Sequence, residues 1–350
     1  MQQITRRSTL GVLGSTLLGP APLLMGATNK SANAKPVIGE GDHRYEVTHD
    51  WGELPAGLKY GNTHGVCEDS QGRIYVHHTV NSASESHDTM VVFDGAGKFV
   101  KSWGKEFAGG AHGLHIRKEG STEYLYLCDT KNAVVVKTTL DGEHVWRLGY
   151  PEEVDAYKPG ADGKKIKYSP TNVAIAPNGD VYVGDGYGSS YINQYDSNAK
   201  YIRTFGGVGK EPGKLNCPHG LIVDTRGATP NLTVADRSNK RLQRFTLDGQ
   251  HMDFVENMNA PCHFGIYKNG DMVIPDLFAR VTVLDKDNRT VALLGDDSTS
   301  KYMAARKLGR DAFTPGRFVC PHGACFDHAG NIFVVEWVEI GRVSKLRKVA

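Results

Sequence analysis

The sequence predicts an all-β chain, a six-bladed β-propeller whose blades are four-stranded antiparallel sheets. Three observations predict it. A short motif built on His-Gly recurs along the chain, and each copy is followed by alternating β-branched and aromatic residues. The copies are spaced 44 to 60 residues apart. Cys-Pro-His-Gly itself is written twice, at 217–220 and 320–323. Repeats near 45 residues with four short strands each are the pattern of propeller blades.

The first 34 residues stand outside this pattern. Paired arginines, Arg6 and Arg7, precede an apolar run that is too short and too broken by Gly and Pro to span as a helix. "ANA" at 32–34 then offers the small residues of a cleavage site. This is the pattern of a twin-arginine leader, which directs a folded protein across a bacterial inner membrane to the periplasm or beyond. No later stretch is apolar enough to cross a membrane. Removing 1–34 takes away three basic residues and no acid, so the formal charge goes from +2 to −1. A near-neutral chain carries no electrostatic footprint for nucleic acid.

Residues 35–42 read as a linker and 43–350 as the propeller. Aligned on the motif, His64, His112, Asn172, His219, His263 and His322 fall in register, at intervals of 48, 60, 47, 44 and 59 residues. The blades therefore start near 63, 111, 171, 218, 262 and 321. After each start comes a turn and a second strand: "RIYVHH", "YLYLCD", "DVYVGD", "NLTVAD", "DMVIPD" and "NIFVVE". Period-2 alternation bounded by Gly, Asn and Asp is the strand signature. The last copy ends after its third strand, and "HRYEVTHDW" at 43–51 supplies the missing outer one. Such closure leaves no open blade edge. The two long intervals place insertions at 150–168 and about 295–318, both polar and marked by Gly and Pro.

A residue entering the innermost strand faces the central channel. Neighbouring blades are about 60° apart, so alternate blades are about 120° apart. His112, His219 and His322 occupy blades 2, 4 and 6. Three imidazoles at this spacing can converge on one ion and leave an axial position open, as in catalytic zinc sites. The other reading of the same pattern is a polar ring lining a wet channel. His64, Asn172 and His263, on the odd blades, are expected to lie off the convergence point and to line the channel only. His77 and His78 read as exposed strand-end residues, His78 being a further channel candidate. Asp129, Asp185, Asp236 and Asp276 recur at the end of the second strand, where a carboxylate caps backbone N–H groups. The six cysteines are too sparse for a disulfide scaffold. A Cys67–Cys325 bridge is the one pairing the repeat suggests, against which free buried thiols are expected.

"ADRSNKRLQRFTLDG" and "GDGYGSSYINQYD" resemble the NHL repeat, a resemblance that covers nearly all of 45–350 and implies a six-bladed propeller. More narrowly, "SPTNVAIAPNGDVYVGDGYGSS", "CPHGLIVD" and "VADRSNKRLQRF" are similar to the lyase half of peptidylglycine α-amidating enzymes. That resemblance implies zinc held by His112, His219 and His322, a catalytic base at Tyr187 and an active-site arginine at Arg237. It further implies cleavage of a peptidyl-α-hydroxyglycine into an amide and glyoxylate. The chain departs from the family in two places. His77 and His78 stand where the family has a second arginine, and Gly323 stands where it has an aspartate associated with calcium. The resemblance thus implies a zinc-dependent lyase for a small-molecule or peptide substrate, with calcium as a second cation to consider; separately from the resemblance, a monomer is expected. The rival readings are a non-catalytic propeller that binds a peptide, glycan or protein, and a lactonase-like hydrolase.

Overall fold

The computed structural model describes residues 35–296 and 302–349. The leader read at 1–34 lies outside the described residues. Six antiparallel sheets follow one another along the chain, each a blade of the propeller. In blade 1 the strands are Thr63–Glu68, Ile74–His78, Met90–Phe93 and Phe99–Trp103. Blades 2 to 5 begin with the inner strands Ala111–Glu119, Asn172–Ile175, Pro218–Asp224 and Gly265–Ile266. Blade 6 has Pro321–Phe326, Ile332–Glu336 and Arg342–Lys348, and its fourth strand is Tyr45–Thr48, paired antiparallel to the third.

The apolar pattern explains why the blades pack as a ring. Successive residues of a strand point to opposite faces, and here each face meets a different neighbour. In blade 1, Met90 and Val92 join a buried cluster with Leu125, Leu127 and Val136 of blade 2. Val91 and Phe93, one step along, join Phe333, Val335 and Val343 of blade 6. The same alternation fills the seams between the other neighbours. The third strand of blade 1, Met90–Phe93, is buried on both faces and is accordingly apolar throughout.

Val37–Ile38, in the stretch read as a linker, is a fifth strand of blade 6 and pairs with Tyr45 and Glu46. A tight turn makes this hairpin. Gly39 has φ +82°, and a Cβ there would sit 1.9 Å from the carbonyl oxygen of His43. Tyr45 and Val47 are buried among Val281, Phe318 and Leu346, and Trp51 packs 4.7 Å from Phe333. Deleting 43–51 is expected to unfold the whole ring. It removes three core side chains, each contributing about 1.5–3 kcal/mol, and opens an edge. A melting temperature equal to that of the full chain would refute this.

In blades 3 to 6 a carboxylate at the end of the second strand holds the loop that enters the inner strand. Asp185 accepts from the N–H groups of Ser169 (2.7 Å) and Ser189 (2.7 Å) and from the Tyr157 hydroxyl (2.8 Å). Asp236 holds the Asn216 N–H and Arg241, and Asp276 holds Asn259 and Arg280. Glu336 takes the same place in blade 6, with the Val319 N–H and Arg342. Asp129 instead caps its own turn through Lys131 and Asn132. These bonds order the loop face where inner strands begin and second strands end. Both insertions leave the same face. In the first, Tyr157 packs with Val154 and Tyr168; in the second, Arg306 lies 3.6 Å over the Trp337 ring and donates to Asn62.

Candidate metal centre

Four imidazoles meet in the channel at this face. The ring centroids of His112, His219 and His322 are 4.7 to 4.9 Å apart. His64 lies 4.8 Å from His112 and 4.6 Å from His322. The expectation that His64 lies off this point is corrected. His64, His112 and His322 offer ring nitrogens within 4.8 Å of one another.

The His-Gly pair is explained by a carbonyl of the next blade around the ring. His112 Nδ1 bonds Thr171 O at 2.7 Å, His219 Nδ1 bonds Cys262 O at 2.8 Å, and His322 Nδ1 bonds His64 O at 3.0 Å. A carbonyl only accepts, so each Nδ1 carries the proton and each Nε2 keeps a lone pair. The glycine that follows lets the blades come this close. A Cβ on Gly113, Gly220 or Gly323 would meet the same three carbonyl oxygens at 2.4, 2.4 and 2.5 Å. An aspartate at 323 therefore does not fit this backbone. In blades 4 and 6 the proline before the histidine sits within the pairing, and a bulge follows that swings the histidine toward the axis.

The Tyr187 hydroxyl stands among these groups, 3.2 Å from His112 Nε2 and 2.9 Å from His219 Nε2. Arg237 Nη1 donates to it at 3.3 Å, and the guanidinium lies 5.2 Å from the tyrosine ring centroid. Both residues come from turns between second and third strands, on the face where inner strands enter. Burial pulls His112 down to about 3, and it holds His64, His219 and His322 well below the ordinary imidazole range, with cationic or imidazole neighbours adding to the shift. All four rings are neutral at neutral pH, the form that binds metal. Burial pushes the Tyr187 hydroxyl up to about 12, against the pull of Arg237. The donor set fits a borderline divalent cation such as zinc better than calcium or magnesium, which take oxygen ligands. His322 Nε2 is buried with no hydrogen-bond partner among the described residues, so the pocket presents a lone pair that the protein leaves unused.

The remaining candidates do not join. Asn172 turns its side-chain oxygen onto the Val173 N–H. His263 lies toward the other end of the channel, lining a cavity of about 310 Å³ with His115, Cys67 and Cys325. His115 was missed in the sequence because it follows His112 by three residues and looks like part of the same motif. His77 and His78 are fully buried inside blade 1, not exposed strand ends. Their strand pairs on both sides, and His78 packs on Tyr60. All six cysteines are free thiols.

No family model matches the chain. Peptidyl-alpha-hydroxyglycine alpha-amidating lyase 1 of Drosophila melanogaster is 28% identical over 279 residues, 70% of this chain and 48% of that protein. Peptidyl-glycine alpha-amidating monooxygenase A of Xenopus laevis is 32% identical over 191 residues, 51% of this chain and 19% of that protein. The chain thus spans about half the length of the fly protein and about a fifth of the frog protein. A gluconolactonase from Xanthomonas campestris superposes with a TM-score of 0.56 over 91% of this chain and 93% of its own, at 14% identity, a likeness of fold alone. Among the described residues no helix is long and apolar enough to cross a membrane. The chain is a six-bladed propeller that resembles the amidating lyases in sequence and carries a buried histidine cluster in its channel.

Proposed function

We propose that this protein is a metal-dependent lyase that cleaves the C–N bond of a hydroxylated, carbinolamide-like substrate. The observation that carries the reading is the Tyr187 hydroxyl, held by His112, His219 and Arg237 at the histidine cluster. His112, His219 and His322 are the residues that would hold zinc. A divalent cation there would supply a Lewis acid for the substrate hydroxyl and favour the anionic form of the nearby phenol. Tyr187 Oη takes up the hydroxyl proton as the C=O bond forms and the C–N bond breaks. The same proton passes to the departing nitrogen, so the products are an amide and an aldehyde. Arg237 orients Tyr187 and offers a guanidinium to an anionic end of the substrate.

The test is release of amide and glyoxylate from a peptidyl-α-hydroxyglycine by the purified, zinc-loaded chain. Zinc-loaded protein that releases neither product would leave a binding propeller as the better account. The paired Arg6 and Arg7 support export to the periplasm. Replacing both by lysine is expected to hold the precursor inside the cell, and normal export of that variant would overturn the twin-arginine reading.

A further inference from the structure

We propose that His64 is a fourth cation-binding imidazole, so that the channel holds two three-histidine cradles sharing His112 and His322. The inference deepens the metal-site reading above and rests on it. Blade 1 lies between blades 6 and 2, because the ring closes there. His64 therefore stands between His322 and His112, across the channel from His219 on blade 4. Its ring contacts the two shared imidazoles at the same spacing that His219 does, 4.6 and 4.8 Å against 4.7 and 4.9 Å.

The backbone treats His64 as it treats the other three. The pairing of the first and second strands slips at Thr63/Gly65, Ala111/Leu114, Pro218/Leu221 and Pro321/Gly323. Each slip takes a histidine out of the ladder and aims it at the axis. Asn172, at the same repeat position in blade 3, stays in register opposite Gly184 and stays out of the cluster.

His64 also has an unmet hydrogen-bonding group. It is 7% exposed, and its Nδ1 has no partner among the described residues. The other three histidines commit Nδ1 to a carbonyl. A buried ring nitrogen without a partner carries an uncompensated desolvation cost, and a cation is a partner that removes it. His322 Nε2 is likewise without a partner, and it lies on the edge the two cradles share. The Tyr187 hydroxyl occupies the His112–His219 side. The His64 side has no such occupant among the described residues. Four imidazoles with no carboxylate among them select a late first-row divalent cation, zinc or cobalt, over calcium.

The experiment measures zinc affinity by chelator competition, together with the visible absorption of the cobalt-loaded protein, on the folded chain and its variants. His219→Ala is expected to keep one equivalent of zinc with at least roughly tenfold weaker binding. His64→Ala is expected to weaken binding by a similar factor and to change the cobalt spectrum. His112→Ala, His322→Ala and the double variant His64→Ala/His219→Ala should each lose at least about 10³-fold. His64→Phe, which keeps a ring in the packing but offers no nitrogen, must behave as His64→Ala; circular dichroism checks that each variant folds. Wild-type affinity and an unchanged cobalt spectrum in both His64 variants overturn the proposal. So does complete loss of zinc in His219→Ala, or a wild-type chain that binds no zinc. Loss in His64→Ala with wild-type affinity in His219→Ala would support His64 and remove His219 from the ligand set. Turnover plays no part in these readings, so failure of the lyase activity leaves them standing.

Discussion

Tyr187→Phe is expected to lower kcat by about 10²–10⁴-fold, the range a positioned proton-transfer group contributes, while zinc content stays at the wild-type level. The substitution removes one oxygen. That oxygen is the group within 3.2 Å of His112 Nε2 and 2.9 Å of His219 Nε2, and it also accepts from Arg237. The carbonyls that orient the histidines are untouched, so the cradle survives. Parallel measurement of kcat, KM and bound zinc separates the roles. A variant that keeps turnover within about tenfold of wild type would show that the proton moves by another route. A variant that loses zinc as well would make Tyr187 part of the cradle.

Glu336→Ala is expected to cost about 3–5 kcal/mol of stability, because it strands a buried cation. Glu336 is fully buried and Arg342 nearly so. The carboxylate pairs with Arg342 through both oxygens and also accepts the Val319 N–H at 2.6 Å. Val319 lies three residues before His322, so the loosened entry loop also feeds the metal site. The loss should lower the melting temperature on the order of 10 °C. Replacing Glu336 and Arg342 together by Leu and Met should recover most of it, since an apolar pair leaves no charge behind. A single variant that melts within about 1 °C of wild type would refute this account of the carboxylate.

The ring of blades was legible in the residue pattern because each blade is a local unit. Its strands alternate, its turns carry Gly and Asn, and its period repeats. The convergence of His112, His219 and His322 followed from the same period, since alternate blades must face one another across a closed ring. The recurring carboxylates were legible as caps for the same reason. What each carboxylate caps was less so, because the N–H groups of Ser169, Asn216, Asn259 and Val319 lie 16 to 20 residues before it in the chain.

His64 shows where the pattern stopped. Counting by alternate blades excluded it, yet a one-residue slip in pairing changes where a side chain points, and that slip has no clear mark in "NTHGVCE". Its nearness to His322 exists only because Tyr45–Thr48 joins blade 6 and brings blade 1 beside it, across 258 residues of chain. His77 and His78 misled for a related reason: a strand end looks exposed until the neighbouring blade covers it. Gly323 was read as a missing aspartate, whereas the approach of the His64 carbonyl leaves no room for any side chain. Periodicity within a blade is local and survives in one sequence; the carbonyls, seams and fourth imidazole of the channel depend on residues far apart in the chain that meet when the ring closes.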